Sequence, residues 1–403
     1  MLIHNDELMI SISKAIDTIS NTVTPGLKTK DILLHQALNF VLAEAVVSKI
    51  NMPPFRQSAM DGYALNYHEE SVYTVIDEVK AGDNSNPTLK KGEATRIFTG
   101  AAVPDSANAI IIQEHVSIDN GTLTCNKPAN LNANIRPLGE QIMEGEIALN
   151  KGSKLTAAAI GYLASLGITT VKVYAKPKIA IVITGNELVS PGEHLAHGQI
   201  YESNAIMLKS TLQSLGYSEV SIHKVKDDYD ATESTLDTVI SEHDFILISG
   251  GISVGDYDFV GKALLNLNVQ QHFYKIKQKP GKPMFFGQRQ ESYIFALPGN
   301  PASALSCFYM YVFNALERFI GLPNPELIKV NASSASDFHK KGDRPQFMKA
   351  IYNDGAVQLL EGQASSMLHT FALANALVLI PEEVNIIKKG DTLNTYILPS
   401  INL

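Results

Sequence analysis

The sequence predicts a multidomain α/β protein with a central parallel-sheet domain, and three observations carry that expectation. Residues 176–325 alternate continuous apolar runs with helical patterns: KIAIVIT, SNAIMLKSTLQSLG, EVSIHKV, ATESTLDTVISE, FILISGG, DFVGKALLNL, YIFALPG. Such alternation describes a parallel sheet covered on both faces. Residues 51–142 and 326–403 instead carry short β-type runs between Gly, Asn, Asp and Pro. At 403 residues the chain also exceeds the usual size of one domain.

Taken in order, residues 1–50 read as helices, because apolar residues recur at helical spacing over 10–19 and 32–47. The prolines of NMPPFRQ (51–57) end that pattern. VYTVIDEV, ATRIFTG, AIIIQEHVSI and GTLTC then mark a small β-rich domain at 51–142, and KLTAAAIGYLASLG returns to helix within 143–175. A β domain inserted into a helical one (1–50 plus 143–175) is the economical arrangement. The α/β domain follows at 176–325. FMKAIYN, AVQLL, ALVLIPE and TLNTYIL predict a C-terminal, barrel-like β domain at 326–403. Residues 297–316 carry no charge, yet they open on Pro-Gly-Asn-Pro and contain Ser303, Ser306 and Asn314. They read as a buried core or interface helix, not a membrane span.

Composition narrows the function. The formal net charge is −8, and no dense Lys/Arg run offers a face to nucleic acid. The two cysteines, Cys125 and Cys307, lie outside any CxxC pattern. A disulfide scaffold and a Cys-rich zinc site are therefore not expected, and a reducing, cytoplasmic compartment is. The N-terminus has Asp6 and Glu7 and no basic-then-apolar signal pattern. HExxH, GxSxG and Walker A motifs are absent from the sequence, and the eleven histidines show no ligand spacing.

Open parallel sheets bind ligands beyond the C-terminal ends of their strands. Three predicted strand ends carry unusual loops: Gly185-Asn186-Glu187, then residues 250–258 (GGISVGDYD), then Pro298-Gly299-Asn300-Pro301-Ala302-Ser303. Glycines in the second loop permit close backbone approach, and the helix expected from Phe259 presents N–H groups to an anion. Asp256 and Asp258 sit at the same place, where two carboxylates would repel a phosphate unless a hard cation such as Mg²⁺ intervened. N-capping explains one of them, not both. In the third loop, Asn300 suits an N-cap and Pro301 the first helical position. Lys279-Pro280-Gly281-Lys282-Pro283 presents two positive charges on a stiff turn, although a solvated turn reads equally simply. Asp227-Asp228 ends another strand. Residues 56–64 (RQSAMDGYA) look like a loop folded over something.

Together these elements resemble the molybdopterin molybdenumtransferase family, which includes MoeA and the E domain of gephyrin. The matching pieces run in order over nearly the whole chain. They are SAMDGYA (58–64), FTGAAVP (98–104), IRPLGE (135–140), TGNEL (184–188), GQIYESN (198–204), VKDD (225–228), SGGISVGDYDFV (249–260), KPGKP (279–283), LPGNPAS (297–303) and QASSMLHTFALANALVLIP (363–381).

The resemblance implies a MogA-like α/β domain, an inserted β domain, a homodimer, and molybdate insertion into adenylyl-molybdopterin with release of AMP. It implies Mg²⁺ held by Asp258 with Asp227 and Asp256, and Glu187 beside the pterin-phosphate region. Gly250, Gly251 and Ser253 would contact phosphate, with Pro298, Asn300, Pro301 and Ser303 adding a second backbone-donor loop. Lys279 and Lys282 would attract molybdate, joined by Lys349 and by Ser365 or Ser366. Asp61 and Thr99 would come from the other subunit. The implied partners are a molybdopterin adenylyltransferase and carriers that serve molybdoenzymes. Three positions depart from the family pattern: Asn186 stands where Asp is common, Gln141 ends Gly-Glu-Gln, and Lys349 replaces an Arg. Lys keeps the charge without the planar fork. Two other readings compete: a non-catalytic pterin-binding scaffold of the gephyrin type, and a generic α/β nucleotide hydrolase. The second leaves SAMDGYA and KPGKP unexplained.

Overall fold

The computed structural model describes residues 9–26, 28–252, 259–323 and 325–399. The chain forms two compact units, one of residues 31–38 and 44–172, the other of 1–30, 39–43 and 173–403. The first described helix, α1 (Ile12–Thr22), starts where Ser11 accepts a hydrogen bond from Lys14 N–H at 3.1 Å, and it buries Ile12, Ala15 and Ile19.

The unit of 31–38 and 44–172 is built on a six-stranded sheet: β1 (Gly62–Leu65), β2 (Val72–Val79), β3 (Glu93–Ile97), β4 (Ala109–Ile112), β5 (Val116–Asp119) and β6 (Thr122–Cys125). The order is β4-β1-β3-β2-β6-β5, with β2 and β3 parallel. Alternation supplies a core on each face: Ala64, Ile97 and Ile110 on one, Leu65, Ala94 and Ile111 on the other. Helix α2 (Ala157–Ser165) is capped by Thr156, which accepts from Ala159 N–H at 3.2 Å.

Two local expectations are corrected here. Residues 56–64 are not all loop, because β1 is an interior strand of the sheet, paired on both sides with β4 and β3. Gly62 makes that possible: a Cβ there would lie 2.0 Å from Ile111 O. Residues 32–47 are not a helix. They hold the end of a strand (Thr29–Leu33), a single 3₁₀ turn (Leu34–Gln36) and a two-residue strand (Val46–Val47). Leu34, Ala37, Val41 and Leu42 are buried while Leu33, Leu38 and Val47 are exposed, and Asn39 takes φ +63°, which a right-handed helix cannot continue.

The second unit centres on β7 (Ile179–Thr184), β8 (Val220–Val225), β9 (Phe245–Ser249), β10 (Gln270–Lys275), β11 (Pro283–Arg289) and β12 (Ser292–Leu297), in the order β8-β7-β9-β12-β11-β10. Strands β8, β7, β9 and β12 are parallel, as expected. Strands β10 and β11 are antiparallel additions. Only residues 276–282 join β10 to β11, and only 290–291 join β11 to β12. Parallel pairing would need a crossover of about a dozen residues or more. Helix α3 (Asn204–Ser214) packs Leu208 and Leu212 against Ile181 and Leu247 on one face. Helices α4 (Tyr229–Glu242) and α5 (Phe259–Asn266) pack Leu236, Val239, Val260 and Leu264 against Val182 and Ile248 on the other. Helix α6 (Pro301–Cys307) continues through a π-helical turn (Phe308–Val312) into α7 (Phe313–Phe319). This charge-poor segment is core, and among the described residues no helix is long and apolar enough to cross a membrane.

The C-terminal strands β13 (Lys329–Ser334), β14 (Gln346–Asn353), β15 (Ala356–Leu359), β16 (Ala376–Ile380) and β17 (Thr392–Ile397) close a barrel in the order β13-β15-β14-β16-β17. Ala332, Met348, Val357 and Val378 fill it.

Phe295, fully buried, stacks on Phe286 at 4.7 Å and Phe245 at 6.2 Å, joining β9, β11 and β12. Phe295→Ala is expected to cost about 3–5 kcal/mol. Urea titration should show an earlier transition in this unit, and an unchanged midpoint would refute the stack's role.

Candidate active site

Neighbouring strands β7 and β9 mark where the strand order reverses. The connection leaving β7 passes through α3 on one face to β8, and that leaving β9 passes through α5 on the other face toward the opposite edge of the sheet. Connections that part in opposite directions leave a crevice at the strand ends. It is a cavity of about 500 Å³ lined by Thr184, Glu187, Glu202, Asn204, Ser249, Gly250, Asn300, Pro301 and Ser366, among others.

Short contacts shape its walls. Gly250 and Gly251 have φ +93° and +66°. A Cβ on Gly250 would lie 2.7 Å from Thr184 O, and one on Gly251 would lie 2.8 Å from Thr184 Oγ1 and 2.6 Å from Val260 Cγ2. Both conformation and space therefore demand glycine. Asn204, buried at the start of α3, donates to Ser249 Oγ and to Gly299 O, each at 2.8 Å, so one carboxamide fastens three loops. Glu202 accepts from Ala205 N–H at 2.8 Å and braces the same turn. The ends of β7 and β8 are joined by a reciprocal pair. Asn186 N–H donates to Asp227 Oδ2 at 3.0 Å, and Asp227 N–H donates to Asn186 Oδ1 at 3.2 Å. Asp228 caps α4, accepting from Ala231 N–H at 2.8 Å.

The third loop meets the C-terminal part of the unit. Pro301 opens α6, but the Asn300 side chain, expected as a cap, instead donates to Ser365 Oγ at 3.2 Å. Ala302 N–H donates to Ser365 O at 3.2 Å. A second cavity, of about 600 Å³, is lined by Lys279, His339, Lys341, Gln346, Gly362 and Gln363, among others. Gly362 and Gln363 thus line the second cavity, alongside Asp337 and Glu361, while Ser366 of the same stretch lines the first. Lys349 governs that stretch from below: its buried ammonium donates to Gly362 O and Met367 O at 2.9 Å and to Ala364 O at 3.4 Å. Burial pulls its pKa down to about 8. In the other unit, exposed Asp61 accepts from Thr99 N–H at 2.8 Å and Thr99 Oγ1 at 2.7 Å. These bonds, the backbone one foremost, hold its carboxyl below the usual range.

This frame matches known proteins along its whole length. Three family models fit: the MoeA N-terminal region (domain I and II) over 10–167, a probable molybdopterin binding domain over 180–318, and the MoeA C-terminal region (domain IV) over 331–398. A molybdopterin molybdenumtransferase from Haemophilus influenzae is 32% identical over 394 residues, 95% of this chain and 97% of the relative. The chain belongs to the MoeA family. Its role therefore lies in molybdenum cofactor biosynthesis. A similarly named relative from Staphylococcus epidermidis is 31% identical over 97% of this chain and 96% of its own length. The crystal structure of a molybdopterin biosynthesis MoeA protein from Pyrococcus horikoshii OT3 superposes with a TM-score of 0.83 at 29% identity, covering 96% of this chain and all of that one. The scaffold alternative gains nothing from these relatives.

Of the residues expected at the site, Glu187, Gly250, Asn300, Pro301 and Ser366 line the first cavity. Ser365 touches its rim through Asn300, and Pro298 precedes the loop. Ser303 is buried within α6. Lys279 lines the second cavity, and Lys282, at the other end of the same turn, is not among its lining residues. Lys349 meets carbonyl oxygens, so its effect on any ligand passes through residues 362–367. Ser253, Asp256 and Asp258 lie outside the described residues. Thr184, Glu202, Asn204 and Ser249 received no individual role from sequence. Their only signal was position, at two strand ends and in the GQIYESN segment.

For Mg²⁺ the fit is incomplete. Among the described residues no three His, Cys, Asp or Glu side chains cluster to hold a metal, and one oxygen of Asp227 already accepts from Asn186. The chemistry derived below is carried by the chain's own donors.

Lys349 sets a pH dependence. Below about pH 8 the charged ammonium orders residues 362–367; above it, activity should decline with an apparent pKa near 8. Lys349→Arg, which stays charged, should remove that limb of the pH–rate profile. Global unfolding is not the cause. The folded value lies below the ordinary 10.5, so unfolding takes up a proton and stability rises between about 8 and 10.5. A thermal midpoint that falls over the interval in step with activity would contradict this assignment.

Proposed function

We propose that this chain inserts molybdate into adenylated molybdopterin, releasing AMP and leaving molybdenum on the dithiolene. One observation carries the reading: a single short stretch puts Ser366 in a cavity at the strand ends and Gly362 and Gln363 in one reached by Lys279. A pterin-phosphate and a small oxyanion need such neighbouring but separate places, because both are anions.

Charge sorts the substrates. Glu187 and Glu202 line the first cavity and repel phosphate, so that part suits a neutral heterocycle with N–H donors. Phosphate belongs against the Gly250–Gly251 turn, where the absence of side chains lets a ligand approach the backbone closely. Molybdate, a dianion, belongs by Lys279 and Lys282, with Ser365 and Ser366 as hydroxyl donors. Fixed positive and N–H groups lower the repulsion as the oxyanion approaches the dithiolene, without reorganising during reaction. Water cleaves the phosphoanhydride to AMP and the pterin phosphate. The two dithiolene sulfurs replace two oxo groups of molybdate, which leave as water with protons from the thiols and solvent, so molybdenum stays at the +VI level.

The finer assignments belong to the same proposal. Asp227, Asp256 and Asp258 are the residues for magnesium, and titration with and without a chelator tests that dependence. The working form is a cytoplasmic homodimer in which Asp61 and Thr99 of a second copy complete the site; the exposed Asp61 carboxylate, held by Thr99, is available for it. Its partners are an adenylyltransferase that supplies the substrate and carriers that take the product; nucleic acid is not among them.

Incubated with the adenylated pterin, the purified chain should release AMP on addition of molybdate. Gly251→Val should lower kcat/KM about a hundredfold by pushing the turn off Thr184. Full activity in that variant would remove the turn from the mechanism. Mixing Asp61→Ala with Gly251→Val should restore roughly a quarter of activity, from one intact site in each mixed dimer. Recovery no better than either variant alone would place Asp61 outside a shared site.

A further inference from the structure

Beneath the 279–283 turn lies a buried polar group that the proposed chemistry does not use. Gln278 is wholly inaccessible. Its Nε2 donates to Pro280 O at 3.1 Å, to Gly281 O at 3.2 Å and to Cys307 Sγ at 3.6 Å. Its Oε1 accepts from the hydroxyl of Tyr311, also wholly buried, in the π-helical turn between α6 and α7. The Gln278 backbone carbonyl accepts from Arg344 at 3.0 Å. Gly281, at φ +82°, leaves no room above: a Cβ there would lie 2.4 Å from Cys307 Sγ and 3.0 Å from Gln278 Nε2.

An apolar side chain of similar length would fill this place without needing partners. What the carboxamide adds is direction. It draws two successive carbonyls of the turn inward. In a planar trans peptide the N–H points opposite to the C=O, so the Gly281 N–H is turned to the face away from Gln278. Tyr311 fixes which end of the amide points at the turn, since a flipped amide would set its NH₂ against the phenol and its oxygen against two carbonyls. Burial holds the Tyr311 phenol well above its ordinary pKa, so it remains a donor. The π-helical turn brings the hydroxyl to this point, and such insertions often mark functional places in helices. The main chain of Lys279 is held separately: its N–H donates to Pro345 O at 2.9 Å and its O accepts from Phe347 N–H at 2.8 Å.

We propose that Gln278 and Tyr311 are positioning residues for oxyanion capture: together they set the face that the Lys279–Lys282 turn presents to molybdate, and they act on its affinity, not on the chemical step. This rests on the molybdate reading above. The test compares full-length wild type, Tyr311→Phe and Gln278→Met in molybdate-dependent AMP release, with equilibrium dialysis of tungstate as a direct probe. Ser306→Ala, which removes a buried hydroxyl bonded to Ala302 O in the same helix, is the stability control. Tyr311→Phe and Gln278→Met should raise the molybdate KM and weaken tungstate binding about five- to tenfold, the scale of one lost buried hydrogen bond. Their kcat and their KM for the adenylated pterin should stay within about twofold, and Ser306→Ala should shift neither anion constant. Unchanged anion constants in both variants, or equal losses in kcat and both KM values, would overturn the proposal while the molybdate reading stood. A wild type that neither binds tungstate nor responds to molybdate would remove that reading and this inference with it.

Discussion

Close approach between two strand ends is the constraint on which the site depends. Strand β9 can turn against Thr184 at the end of β7 only because Gly250 and Gly251 lack side chains and tolerate positive φ. With the turn held there, Ser249 comes within reach of Asn204, and the same carboxamide reaches Gly299 in the loop after β12. That loop in turn meets Ser365 through Asn300 and Ala302. A chain of single hydrogen bonds thus runs from the sheet to residues 362–366. Each link spans segments remote in sequence, so a displacement at the glycines is passed along the series.

The chain is acidic, at −8, and the second cavity brings Lys279, His339 and Lys341 together with Asp337 and Glu361. Lys279 and Lys349 differ in kind. Lys279 lines the second cavity, whereas the Lys349 ammonium meets three carbonyls of the stretch that carries Ser365 and Ser366. An arginine at 349 would carry a planar fork and a permanent charge; lysine there makes the stretch sensitive to pH.

Much of this was legible in the chain. Strand and helix limits in 176–320 follow from apolar runs such as KIAIVIT and FILIS, because strands buried on both faces must be continuously apolar. Glycine pairs and Pro-Gly-Asn-Pro marked the loops, since their backbone needs are encoded locally. What stayed hidden depends on partners distant in sequence. The antiparallel edge strands follow from short connections, not from hydrophobic pattern. Residues 32–47 mimic a helix because apolar spacing does not reveal which positions will be covered. Asn204 and Gln278 are ordinary amides in sequence, and only folding surrounds them with carbonyls. The same holds for Lys349, whose neighbours on 362–367 could not be read from its own segment.

The central claim is that one cavity system handles the pterin-phosphate and the oxyanion together, and a single-turnover experiment tests it most directly. Enzyme in excess is mixed anaerobically with adenylated molybdopterin, with and without molybdate, and AMP and pterin-bound molybdenum are followed in the same samples. The account predicts that both appear at one rate and in equal amounts, and only with molybdate present. AMP released equally fast without molybdate would make the chain a hydrolase, and bound pterin with neither product would make it a scaffold; either result contradicts the account.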